Sequence, residues 1–304
     1  MATQLVGPVE HDILNLTGET MGTTWSLRAH ADRGRADEVR AVVETVFSAI
    51  ISQLSTWLPD SFISRFNRAA PGEIFVPPDH FSTVWARAVQ IANASGGAFD
   101  PCHGAQVRAR GFGPEGEGLA VFSERHCWND DPISLDDGRI RQPGGIELDL
   151  SAIAKGHGVD QMGWALEQIG ISSFLAEIGG EFTGSGVRAD LAPWWVELER
   201  PVSAAPHVRI ALCDCALATS GGLHKYTDRH THIIRDQDDT PARNLHSCVS
   251  VLADDCMSAD GWATALFAAG EAAIKISQDN DIVALFTDMQ GNVTMSDAAR
   301  SWLD

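Results

Sequence analysis

The apolar stripe between Val39 and Leu54 constrains this chain more than any other feature. Val39, Val42, Val43, Val46, Phe47, Ile50, Ile51 and Leu54 recur at three- and four-residue steps. That is the spacing of one helix face, and such a face must be buried against a partner. A strand over 24–29 precedes it. A second helix is predicted over 81–94, ended by Gly96 and Gly97. A short strand over 146–150 leads into a helix capped by Ser151 and ending near Gly170. Further strands are predicted over 174–178, 194–199, 208–212, 232–235, 248–252 and 282–287, with a helical tail at the end. Strands and helices interleave without a regular βαβ rhythm, which predicts an α+β fold. The whole of 1–304 reads as one large domain, with 111–145, rich in Gly, Pro and charge, as a surface excursion.

Charge narrows the function. The 304 residues hold 41 acidic against 22 basic side chains, a net −19, so a general nucleic-acid-binding face is not expected. No apolar run reaches the length of a membrane span. The first ten residues show no basic region, apolar core or lipid-attachment Cys, so a cytoplasmic setting is expected. The six cysteines (102, 127, 213, 215, 248, 256) have no zinc-type spacing and read as reduced, mostly buried thiols.

Chemistry concentrates where a carboxylate and a hydroxyl fall one helical turn apart. Ser258-Ala259-Asp260-Gly261-Trp262-Ala263-Thr264 opens an apolar helix, with Ser258 as its expected N-cap. Asp260 and Thr264 share a face and offer hard oxygens, which suit Mg²⁺ rather than zinc. The alternative is an acid opposing the helix dipole beside a packing Thr. Asp149-Leu150-Ser151-Ala152-Ile153-Ala154-Lys155-Gly156 brings a strand to a helix N-terminus, where free N–H groups attract anions. There the Ala152 carbonyl is a further hard donor. Gly97-Ala98-Phe99-Asp100-Pro101 reads either as a ligand loop or as a helix-terminating turn. Thr219-Ser220-Gly221-Gly222 reads as a loop. His230, His232 and His246 lack the supporting donors of a zinc site. No Rossmann or P-loop glycine fingerprint is present.

In order along the chain, these blocks resemble the FAD:protein FMN transferase (ApbE-type) family. They begin with Met21-Gly22-Thr23-Thr24-Trp25, Leu54-Ser55-Thr56-Trp57, Asp60-Ser61 and Arg65-Phe66-Asn67. The 97–101 and 149–156 blocks follow, then Glu177-Ile178-Gly179-Gly180-Glu181, Ala218-Thr219-Ser220-Gly221, His232-Ile233-Ile234 and 259–265. The resemblance implies a T-fold-like α+β domain. It implies Mg²⁺-dependent cleavage of FAD, release of AMP and attachment of FMN to a Ser or Thr of a flavoprotein acceptor. By position it implies Mg²⁺ on Asp260, Thr264 and the backbone oxygens of Ala152 and Ala263. Met21, Trp57, Ala98, Phe99, Asp100, Asp149, Lys155 and Ile233 then line the FAD site, Trp57 against the isoalloxazine. His232 is the candidate base for the acceptor hydroxyl, with Asp260 the other catalytic candidate.

The chain departs from the family pattern twice. Arg235 to Thr240 replaces the expected Asp-Pro and Thr-Gly turn, and Cys102-His103 replaces Thr and an aliphatic residue. Both departures flank the acceptor side, so two rivals stand beside the transferase. One is an FAD pyrophosphatase yielding FMN and AMP. The other is a protein that binds FAD without turnover.

Overall fold

The computed structural model describes residues 13–109, 113–114, 131–200, 202–221 and 246–302. Its strands are β1 (Ile13–Thr20), β2 (Thr23–His30), β3 (Ile74–Phe75), β4 (Ile140–Arg141), β5 (Phe174–Ile178) and β6 (Glu181–Ser185). They continue with β7 (Trp194–Glu197), β8 (Arg209–Leu212), β9 (Cys215–Gly221), β10 (His246–Ala253), β11 (Val283–Asp288) and β12 (Val293–Met295). The helices are α1 (Ala36–Leu54), α2 (Phe62–Asn67), α3 (Asp79–Ala94), α4 (Gly104–Ala109), α5 (Ser151–Gln168), α6 (Cys256–Ala269), α7 (Ala273–Asp279) and α8 (Asp297–Ser301).

One antiparallel sheet organises them, in the order β1-β2-β5-β6-β9-β10-β11-β12. An antiparallel sheet flanked by helices is an α+β arrangement, the class expected from the sequence. The stripe of α1 is buried at Val39, Val43, Phe47, Ile50 and Leu54. Val39, Val43 and Phe47 meet Trp25, Leu27 and Ala29 of β2 and Val159, Met162 and Leu166 of α5, while Ile50 and Leu54 pack with Phe62 and Phe66 of α2 and Phe81 and Val84 of α3. Farther along the same layer, Ala259, Ala263, Leu266 and Phe267 of α6 cover Ala218, Val249, Val251 and Phe286. The opposite face is closed by the β7–β8 hairpin, whose Trp194, Val196 and Leu212 pack on Leu175, Leu217, Leu252 and Leu285. With both faces covered, β10 is buried from Ser247 to Leu252, and its sequence loses the alternation of a half-exposed strand.

Several local expectations change. The 146–150 segment is not a strand; outside a single bridge from Glu147 to His103 it has no ladder. Asn67 replaces the neighbouring strand: its Nδ2 donates to Leu148 O at 2.9 Å and its Oδ1 accepts Leu148 N–H at 2.8 Å. Ser151 does not cap α5. Instead Asp149 Oδ1 accepts the Ser151 N–H at 2.8 Å. Thr219, Ser220 and Gly221 form the end of β9 rather than a loop. β1 was not expected; it pairs with β2 through a two-residue turn, Met21 (φ 49) and Gly22 (φ 73), the left-handed pair of a type I′ hairpin.

Of the 111–145 segment, the stretch from 131 onward closes the core through buried Ile133 and Ile140. The predicted strand over 232–235 lies outside the described residues. The reading of six reduced thiols fails at Cys102, which is disulfide-bonded, whereas Cys213, Cys215, Cys248 and Cys256 are free. No described helix is long and apolar enough to cross a membrane.

Candidate active site

The site forms where α5 and α6 cross. Gly156 makes the approach possible, because a Cβ there would press on the Cys256 carbonyl and lie 2.8 Å from Asp260 Cβ. Two aspartates fix the start of α6. Asp255, not Ser258, is the N-cap, accepting Ser258 N–H and Ser258 Oγ–H, each at 2.7 Å. Asp160 of α5 accepts the N–H groups of Cys256 at 2.8 Å and Met257 at 2.9 Å. Asp260 therefore sits in the second turn of α6, past the free N–H groups, where the helix dipole acts less strongly on a carboxylate than in the first turn.

Asp260 is 2 % exposed. Its Oδ2 accepts Gly156 N–H at 3.0 Å, the donor that a regular helix gives to the Ala152 carbonyl. Lys155 Nζ lies 2.7 Å from Glu181 Oε1 and 3.5 Å from Asp260 Oδ1. Burial works to lower the Lys155 pKa, but Asp260 and Glu181 outweigh it and raise it, so the ammonium is a fixed cation. Thr264, one turn beyond Asp260, places Oγ1 3.1 Å from Ser220 Oγ of β9. Ala263 is fully buried in the α6–sheet core, with its carbonyl in mid-helix.

The other predicted residues are distributed around this corner. Met21 reaches α5, where a Cβ on Gly158 would lie 3.0 Å from its Cε. Trp57 is 63 % exposed on a loop held from below. Ser61 Oγ donates to Ser55 O at 2.6 Å, and Ser64 Oγ to Ser55 O and Thr56 O at 3.1 and 3.2 Å. Phe99 is buried in the α2–α3 core, and Ala98 packs against the α6 core. The Asp100 side chain is fully buried, accepting Cys102 N–H at 2.8 Å, which is the turn role for this residue. Burial raises the Asp149 carboxyl against the opposing Ser151 N–H bond. His232 and Ile233 lie outside the described residues.

Sequence reasoning gave no role to Glu181, Asp160 or Asn67. Glu181 and Asn67 stand in blocks already singled out. Asp160 carries no local signal, since its partners are 96 and 97 residues away.

The model of the ApbE family matches residues 21–286. The chain belongs to the ApbE family. It is 32 % identical over 320 residues to a FAD:protein FMN transferase of Haemophilus influenzae, covering 95 % of this chain and 91 % of that one. It is 32 % identical over 288 residues to the Vibrio cholerae protein of the same name, covering 90 % and 86 %. Among solved structures it resembles the flavin transferase ApbE of Vibrio cholerae, with TM-score 0.84, 29 % identity and coverage of 95 % and 99 %. The apo flavinyl transferase ApbE of Pseudomonas stutzeri gives TM-score 0.82 at 27 % identity, covering 96 % and 97 %.

Proposed function

We propose that this chain, acting as one catalytic domain, transfers FMN from FAD to a Ser or Thr hydroxyl of a flavoprotein acceptor. The reaction depends on Mg²⁺ and releases AMP. The observation that carries the reading is the buried Asp260 carboxylate at the α5–α6 crossing, in a chain whose relatives bear the FMN transferase name.

The donors suit a hard ion. Asp260 and Thr264 share one face, and the Ala152 carbonyl is the regular acceptor of the N–H that Asp260 captures. The Ala263 carbonyl is the fourth proposed donor. Among the described residues no group of three or more His, Cys, Asp or Glu gathers for a different metal. A divalent ion held there supplies positive charge to the diphosphate of FAD.

The chain's own residues do the rest by position and charge. Lys155, kept charged by Glu181 and Asp260, is a cation for phosphate oxygens in a net-acidic protein. Trp57 offers an exposed ring for the isoalloxazine; Met21, Ala98, Phe99, Asp100, Asp149 and Ile233 complete the FAD site. His232 takes the proton as the acceptor oxygen bonds to the FMN phosphorus and the bond to AMP breaks. The disulfide at Cys102 weighs against the cytoplasmic setting expected from the sequence.

Mass analysis of products from FAD and Mg²⁺, with and without a Ser- or Thr-bearing acceptor peptide, tests the reading. FMN-bearing peptide together with AMP is the expected result. Free FMN in both arms makes the protein a pyrophosphatase, and intact FAD makes it a binding protein.

A further inference from the structure

On the sheet face opposite the α5–α6 crossing lies a cavity of about 310 Å³, lined by Arg28, Arg188, Trp194, Trp195, Glu197 and Arg209. Arg28 belongs to this face because its neighbours Leu27 and Ala29 are buried on the helix side and strand residues alternate. The lining runs against the composition of the chain. Acids outnumber Lys and Arg 41 to 22 overall, yet three guanidiniums and one carboxylate meet here.

The local acids are already engaged. Glu197 Oε1 is 2.6 Å from His207 Nδ1, and its Oε2 is 3.7 Å from Arg209 Nε. Asp190 Oδ2 is 3.2 Å from Arg188 Nη2. Arg28 has no carboxylate partner among the described residues. In register it lies between Asn15 and Leu175, and its guanidinium stands over the Trp194 ring, 5.8 Å from the centroid. The Nε of Arg188 is buried with no hydrogen-bond partner among the described residues.

The base of the cavity and the backbone of its loop are fixed. Trp194 is fully buried, and its Nε1 donates to Ser185 O at 3.1 Å. The loop carrying Arg188 is closed by Arg188 N–H to Ala192 O at 2.9 Å and Leu191 N–H to Arg188 O at 2.8 Å. Trp195, half-exposed, offers a flat apolar wall. Guanidiniums match oxyanions by their fork geometry.

The geometry points to a second binding site, for a small aromatic anion whose acid oxygens meet Arg28 and Arg188 while its ring lies against Trp195. The volume, at the low end for ligand pockets, suits one ring with one acid group and not a dinucleotide. The site is independent of FMN transfer.

Calorimetric titration of the full chain tests this with four probes. Phenyl phosphate carries ring and dianion, benzoate carries ring and carboxylate, inorganic phosphate carries charge alone, and phenol carries the ring alone. Phenyl phosphate is expected to bind more tightly than phosphate or phenol, and its ratio to benzoate tells which acid group the site prefers. Arg28→Met should weaken phenyl phosphate and phosphate by about tenfold, and Trp195→Ala should weaken only the ring-bearing probes. Arg28→Lys, which keeps the charge and loses the fork, should also bind more weakly at an unchanged melting temperature. Flavin transfer should be the same in all three variants. Absence of binding by every probe, or binding indifferent to Arg28 and Trp195 substitutions, would overturn the proposal. So would binding lost in Asp260→Ala, which would put the probe in the other site.

Discussion

Gly156 N–H donates to Asp260 Oδ2 at 3.0 Å, so the two helices that carry the candidate site are tied together at the site itself. The tie needs a residue without a side chain. In Gly156→Ala the new Cβ meets the Cys256 carbonyl and Asp260 Cβ, and both obstacles are helix-bound. Overpacking of this kind costs about 1–3 kcal/mol. Urea unfolding should show that loss, together with a larger fractional loss of FMN transfer, because Asp260 is the atom group displaced.

Thr264 tests the hydroxyl side of the same corner. Thr264→Val keeps the shape, removes the oxygen 3.1 Å from Ser220 Oγ, and should change stability by only about 1 kcal/mol. FMN transfer at limiting Mg²⁺ should fall at least about tenfold, and Thr264→Ser should restore it. Equal activity in all three forms would show that the hydroxyl only packs.

Asn67 tests how the strandless approach to α5 is held. Its amide satisfies both the N–H and the carbonyl of Leu148, a fully buried residue. Asn67→Ala leaves both groups unpartnered and should lower stability by about 2 kcal/mol or more, read from the urea midpoint at constant slope.

Two buried groups on α5 give stability opposite pH slopes. Burial raises Asp160 from 3.8 to about 7, against the backbone N–H bonds it accepts. Burial and then His80, whose Nδ1 is 3.0 Å from His157 Nε2, lower His157 from 6.5 to about 4. Between those pKa values the folded chain holds the Asp160 proton more tightly than the unfolded chain, so this group makes stability fall as pH rises. For His157 the unfolded chain binds the proton more tightly, so stability rises with pH between about 4 and 6.5. Asp160→Asn should therefore make the slope of unfolding free energy against pH more positive than in the wild type, and His157→Gln more negative. Urea melts across that range check both signs; two unchanged slopes would contradict the burial argument.

The parts legible in the sequence were those written in local periodicity. The α1 stripe, the 174–178 strand and the Asp260–Thr264 spacing each depend on residues within a few turns of one another. The 146–150 segment misled because apolar alternation does not reveal whether a strand neighbour exists, and Asn67, some 80 residues earlier, supplies one instead. Asp255 outcompeted Ser258 as the cap of α6 because its two oxygens bind both the N–H and the hydroxyl of Ser258. The Arg28–Trp194 cavity left no trace in any motif, since the sheet assembles it from β2, the 188 loop and the β7–β8 hairpin.

Asp260→Asn bears most directly on the central claim, because it keeps the shape and one acceptor for Gly156 N–H while removing the charge. The measurement is Mg²⁺-dependent appearance of AMP and FMN-bearing acceptor from FAD, in wild type and variant of equal melting temperature. The account predicts a loss of about a hundredfold or more, with little remaining response to Mg²⁺. Wild-type rates and an unchanged Mg²⁺ dependence in the variant would contradict it.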